Sequence, residues 1–142
     1  MLSPSEVGYD LTLYAQVWLE ERLRLTRALA KALAGKPHPR TVHDNRVACR
    51  RLREAIEFFH GVPEVPPLSD VDRAARALAR SVRRLRELDV AHKRLSQLEW
   101  SGSGGARTRE KLRKALAKRR RRAAKKERES IAKRAAELEA AI

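Results

Sequence analysis

His43-Asp-Asn-Arg-Val-Ala-Cys-Arg-Arg-Leu-Arg-Glu-Ala-Ile-Glu-Phe-Phe59 decides the reading of this chain. Placed on a helix at about 100° per residue, the stretch separates into two faces. His43, Arg46, Arg50 and Arg53 follow steps of three and four and form one stripe about 80° wide. Ala48, Cys49, Leu52, Ala55, Ile56 and Phe59 fall on the opposite side. One helix therefore buries an apolar face and aims a ladder of cations in a single direction. A guanidinium stays charged at cellular pH, and its planar fork matches phosphate oxygens two at a time. The pattern is that of a helix that reads polyanions.

The rest of the composition agrees in sign. The 142 residues hold 33 Lys+Arg against 18 Asp+Glu, a formal net charge of +15, and 24 of the basic residues are Arg. Such a charge attracts nucleic acid, polyphosphate or anionic membrane without choosing among them. The length suits one domain, residues 1–142, with one modest core. Cys49 is the only cysteine, so no intrachain disulfide can form, and its place on the apolar face predicts a small buried hydrophobe. No apolar run approaches the ~20 residues of a membrane span and no signal-peptide pattern opens the chain, so a cytoplasmic protein is expected.

Outward from the central stretch, three breaks divide the chain into four predicted helices, at about 5–34, 41–60, 69–98 and 107–142. The first places Leu11, Tyr14, Trp18, Leu25, Leu29 and Leu33 on one face and stops at Gly35. Thr41 with Asp44, and Ser69 with Asp72, read as N-terminal caps. The Pro63–Pro67 stretch reads as a stiff loop and Ser101–Gly105 as a flexible one. Nothing alternates with period two, so the fold class is all-α, a four-helix bundle with a long basic C-terminal helix. In that last helix Leu112 and Leu116 begin an apolar stripe. Lys118-Arg-Arg-Arg-Arg122 and then mostly Ala follow. Its second half is expected to project into solvent or to pack on something outside the chain.

The third segment repeats the design of the central one. Arg73, Arg76, Arg80, Arg83 and Arg84 share a face, with Val71, Leu78, Val82, Leu85 and Leu88 on the other. Repulsion within such a ladder costs a few tenths of a kcal/mol per exposed pair, so an anionic partner is its natural explanation. Asp89 and His92 fall on or near the apolar side, where Asp89 is expected to accept hydrogen bonds from an Arg or a neighbouring helix.

Together these motifs, His43-Asp-x-Arg-Val-x-x-Arg-Arg-Leu-Arg and Leu85-Arg-Glu-Leu-Asp-Val90, resemble the CHAD family, the conserved-histidine α-helical domain. The second motif departs from the family pattern, with Arg83 at a usual Gly and Glu87 at a usual Asp, while Arg86 and Asp89 match. The resemblance runs closest over about Val7–Leu98 and reaches the last helix by general character. It implies an all-helical domain with a basic channel or groove that binds inorganic polyphosphate, at polyphosphate granules in some members. It also implies that this chain is about half of a full domain, whose two halves are related by pseudo-two-fold symmetry.

Physical chemistry supports the same ligand. Polyphosphate has no bases to read, so its binder needs rows of cations and no stacking platform. Aromatics make up only 4% of this chain and are read as core residues, not interleaved with the basic ones. The expected polyphosphate-binding set is His43, Arg46, Arg50, Arg51, Arg53, Arg76, Arg80, Arg83, Arg84, Lys118, Arg119 and Arg122. His43 is expected to donate to phosphate or to orient its Arg neighbours. No metal site or cofactor is expected, since no second His stands at ligand spacing on its helix. A Mg²⁺-dependent phosphate enzyme would need clustered carboxylates or a Gly-rich loop, so no enzyme is expected. The alternative is a basic helical protein that binds nucleic acid nonspecifically through Lys118–Lys126. A homodimer is expected to bring a second pair of ladders opposite the first, with the last helix supplying the partner surface.

Overall fold

The central stretch folds as one helix whose apolar side is sealed from solvent and whose cationic side is open. The computed structural model describes the backbone from Pro4 to Ile142 and the side chains from Asp10 onward. Among these residues the order is α1 (Pro4–Gly35), α2 (Pro39–Phe58), α3 (Ser69–Ser81), α4 (Arg83–Gln97) and α5 (Gly105–Ala141), with no strand. The all-α class is as predicted, but there are five helices in place of four.

The extra helix comes from a break in the third segment. At Val82 the backbone leaves the helical region, with φ −102° and ψ 6°. Just before it, the Ser81 hydroxyl donates to the Leu78 carbonyl at 2.8 Å, a back-bond that competes with the backbone ladder and bends helices. Val82 and Leu85 remain fully buried, so α3 and α4 act as one bent rod on a continuous core. Four rods result, α1, α2, α3 with α4, and α5.

Both predicted caps shift. His38, not Thr41, caps α2, its Nδ1 accepting from the Arg40 backbone N–H at 3.3 Å. Pro39 then occupies the first helical position, where its missing N–H leaves nothing unmet. Ser69 is itself helical, and the start of α3 has no side-chain cap. Asp72 is engaged instead by arginines.

The main core draws on every rod: Leu33 from α1, Val42, Cys49 and Leu52 from α2, Leu78 and Leu85 from the bent rod, and Ile131 and Leu138 from α5. A second cluster joins Ala15 and Leu19 to Ala55 and Phe59. The α2 and α3 faces are those predicted. The α1 face is not. Its buried line is Thr12, Ala15, Leu19, Thr26, Ala30 and Leu33, whereas Leu11, Tyr14, Trp18 and Leu25 are 37–55% exposed. Small residues won that face because they let α1 lie close against α2 and α5. Thr26 enters without an unmet hydroxyl, donating to its own Arg22 carbonyl at 2.7 Å.

The expectation for the last helix also reverses. Its second half carries the buried residues Ala123, Ile131, Ala135 and Leu138, packed on α1 and α3, while Leu112 near its start is 43% exposed. Alanines there permit close helix approach, and the large partners come from Leu33 and Leu78. No helix of the described residues is long and apolar enough to cross a membrane.

Candidate functional site

The sealed side of α2 fixes the direction of its other side. His43, Arg46, Arg50 and Arg53 line one groove of about 360 Å³, together with Ala79 of α3 and Arg86 of α4. A second groove of about 640 Å³ adjoins it, sharing His43 and Arg86, and continues along Arg40, His92, Lys93 and Arg121 toward α5. The two make one cationic trough between α2, the bent rod and α5.

The bend builds the middle of this trough. Ala79 lies in the last turn of α3, where carbonyls run out of intrahelical donors. The Arg46 guanidinium fills that need, its Nη1 donating to the Ala79 carbonyl at 2.8 Å. A cation at a helix C-terminus also meets the negative end of the macrodipole. Arg46 thus ties α2 to α3 with one nitrogen and leaves the rest of its fork for a ligand.

The floor at the α5 end is a half-buried ion pair. Arg120 Nε donates to Asp89 Oδ1 at 2.6 Å, and Arg120 Nη2 donates to the Pro37 carbonyl at 2.6 Å. The Asp89 side chain is only 7% exposed. Asp89 therefore takes the structural role expected of it, joining α4 to α5 and to the α1–α2 connection. His92 is exposed at the trough, not on the apolar side.

Arginines of the two ladders differ in what holds them. Arg53 Nε donates to Asp72 Oδ1 at 2.8 Å, and Arg76 Nη2 lies 3.5 Å from Asp72 Oδ2, so one carboxylate serves both. Arg83 is paired with Glu87 at 2.9 Å and Arg50 more loosely with Glu54 at 3.4 Å. Exposed pairs of this kind are worth at most about 1 kcal/mol and yield to a phosphate. Among the described residues, no carboxylate lies within 4.0 Å of Arg46, Arg80, Arg84 or Arg86.

Not all predicted residues meet. Arg80, Arg83 and Arg84 line a separate recess of about 500 Å³ at the bend, facing Glu127 of α5. Arg76 stands apart from the trough lining, beside Asp72. Arg51 lies a quarter-turn from the ladder and borders Tyr14, Trp18 and Phe58 instead. Lys118, Arg119 and Arg122 are exposed and line none of these grooves; Lys118 and Arg122 point away from the buried side of α5. Conversely, the predicted set missed Arg40, Arg86, Lys93 and Arg121. Arg86 had a signal in the sequence, since it is one of the positions at which the second motif matches the family pattern.

Cys49 closes the trough from beneath as a buried thiol. Burial pushes its pKa up to about 12, against the lowering pull of Arg46 and then Arg53. At neutral pH the thiol is held protonated. Among the described residues, no three His, Cys, Asp or Glu side chains gather as a metal ion would require.

The CHAD domain family model matches residues 18–141. The chain belongs to the CHAD family. The match runs through α5, farther along the chain than the motifs alone indicate, and it contains the whole trough. No curated protein and no solved structure matches the chain. What this CHAD domain presents is a row of guanidinium, imidazole and ammonium groups, spaced by helical turns and held on a rigid wall. Such a row can neutralise consecutive negative charges on a polyanion.

Proposed function

We propose that the chain binds inorganic polyphosphate along the trough, without catalysis. CHAD domains in general bind polyphosphate and are not generally catalytic. The observation that carries the reading for this chain is the continuity of the trough. Arg40, His43, Arg46, Arg50 and Arg86 follow one another along it, and its one buried acid, Asp89, is already held by Arg120. The ligand is a polymer with a charge on each unit, met by cations one helical turn apart. In a cytoplasm that stores polyphosphate, the protein is expected at the granules. A second copy supplies further cationic surface to the same polymer.

The test is competition at physiological salt between labelled long-chain polyphosphate and single- or double-stranded nucleic acid of matched charge. Polyphosphate is expected to win, and Arg50→Ala with Arg86→Ala is expected to weaken it. Each charge-assisted contact is worth about 1.5–3 kcal/mol, so the pair should cost on the order of a hundredfold or more in affinity. Equal or better binding of nucleic acid, or an unchanged affinity in the double variant, overturns the reading. A nucleic-acid role keeps one specific foothold, the outward face of α5 with Lys118 and Arg122, which lies away from the trough.

A further inference from the structure

The exposed side of α1 is apolar where a solvated helix would be polar. Leu13 is 60% exposed, Tyr14 55%, Val17 58% and Trp18 37%, and beside them Phe58 of α2 is 76% exposed. The patch is organised: Tyr14 and Trp18 stack at 5.8 Å, and Tyr14 and Phe58 both meet the edge of buried Phe59. At about 150–250 Å² per aromatic side chain, Tyr14, Trp18 and Phe58 alone leave roughly 250–400 Å² open. With its aliphatic neighbours the patch falls in the size range of the largest apolar patches on monomers, which are often functional.

We propose that this face of α1 is the seat of a second copy of the chain, with the two α1 helices antiparallel across a two-fold axis at Trp18. The sequence is self-complementary about that point. Leu11 and Leu25 lie seven residues to either side of Trp18, and Tyr14 and Arg22 lie four residues to either side. In an antiparallel pair Leu11 meets the partner's Leu25, and Tyr14 meets the partner's Arg22. Arg22 already sits over an aromatic ring within its own chain, 4.7 Å from the Trp18 centroid.

Charge does not oppose this pairing along the seam: about Trp18, Glu20 and Glu21 fall opposite the partner's Gln16 and the partner's Ala15, and Arg22 and Arg24 fall opposite the partner's Tyr14 and the partner's Thr12, so no like charges stand face to face. The second half of the last helix, by contrast, packs its apolar side within the chain. The dimer supplies the second copy invoked for polyphosphate, yet it is tested without polyphosphate, so either reading can fail alone.

Sedimentation equilibrium of the whole chain at tens of micromolar is expected to show a dimer. Leu25→Glu and, separately, Val17→Glu should raise the dissociation constant at least tenfold with helix content unchanged by circular dichroism. Leu112→Glu, equally exposed but off the patch, should leave the dimer intact. For register, Leu11→Cys and Leu25→Cys chains are mixed with a short bis-maleimide. Cross-links are expected in the mixture and not in either variant alone; buried Cys49 stays silent. A wild-type monomer, dissociation by Leu112→Glu alone, or cross-linking within each single variant overturns the proposal. A monomer whose Trp18 fluorescence a single-stranded oligonucleotide quenches would overturn it in favour of base stacking.

Discussion

Twenty-four arginines on one small chain invite a single explanation, yet their contacts divide them into two kinds. Arg120 and Arg53 have good acceptors at 2.6–2.8 Å in half-buried positions, and they hold helices together. Arg50 and Arg86 stand on the trough wall with loose or no carboxylate partners and can turn to a ligand. Arg46 is both, tied at one nitrogen to the end of α3. The two kinds should separate in a stability measurement. Arg120→Ala leaves Asp89 buried and unpaired and strands the Pro37 carbonyl, so it should cost on the order of 3 kcal/mol in urea unfolding. Arg50→Ala should stay within about 0.5 kcal/mol, because its bond to Glu54 is an exposed pair. An unfolding midpoint that Arg120→Ala leaves unmoved would remove the ion pair from the account.

At the scale of the helix, legibility followed the size of the buried residues. In α2 and the bent rod the large apolar side chains occupy one face only, so Leu52, Leu78, Val82 and Leu85 could be assigned to the core from spacing alone, and they are fully buried. In α1 large apolar residues cover more than one face. Spacing then offered Leu11, Tyr14, Trp18 and Leu25, while packing chose Ala15, Leu19 and Ala30, because small residues allow closer helix approach. The tail of α5 was hidden for the same reason, its burial resting on alanines around Ile131 and Leu138. The trough was half visible. His43, Arg46, Arg50 and Arg53 share one helix and were found together, but Arg40, Lys93 and Arg121 join them only through tertiary packing that no periodicity encodes. The bend that brings Arg86 to Arg46 was missed because a single back-bonding serine does not interrupt an apolar pattern. The corrected α1 face is checked by a pair of truncations. Leu19→Ala should cost about 2–4 kcal/mol through a cavity at a site 4% exposed. Leu25→Ala, at 39% exposed, should cost under about 1 kcal/mol in the monomer. Equal costs would return Leu25 to the core.

For the whole molecule, the arrangement of trough and apolar patch gives chain length a meaning. Both lie on the exposed side of α2, with Arg50 lining the trough and the next residue, Arg51, bordering the patch. A two-fold contact through the α1 patch therefore sets two troughs on either side of one seam, and a long polyanion can occupy both while a short one fills only one. Occupying the second trough is then an intramolecular step at high effective concentration, which raises affinity with no new kind of contact. By linkage, long chains should tighten the dimer to the same degree that dimerisation tightens long chains. Salt weakens both chain classes, since each phosphate neutralised releases condensed counterions, and the long chain should show the steeper slope of log affinity against log salt. The decisive comparison uses Leu25→Glu, whose change lies off the trough. Its affinity for long-chain polyphosphate should fall about ten- to hundredfold, while its affinity for a chain too short to cross the seam stays that of the wild type. Equal losses on long and short chains would mean that the substitution has damaged the trough itself. No loss on either would mean that each trough works alone, whatever the assembly.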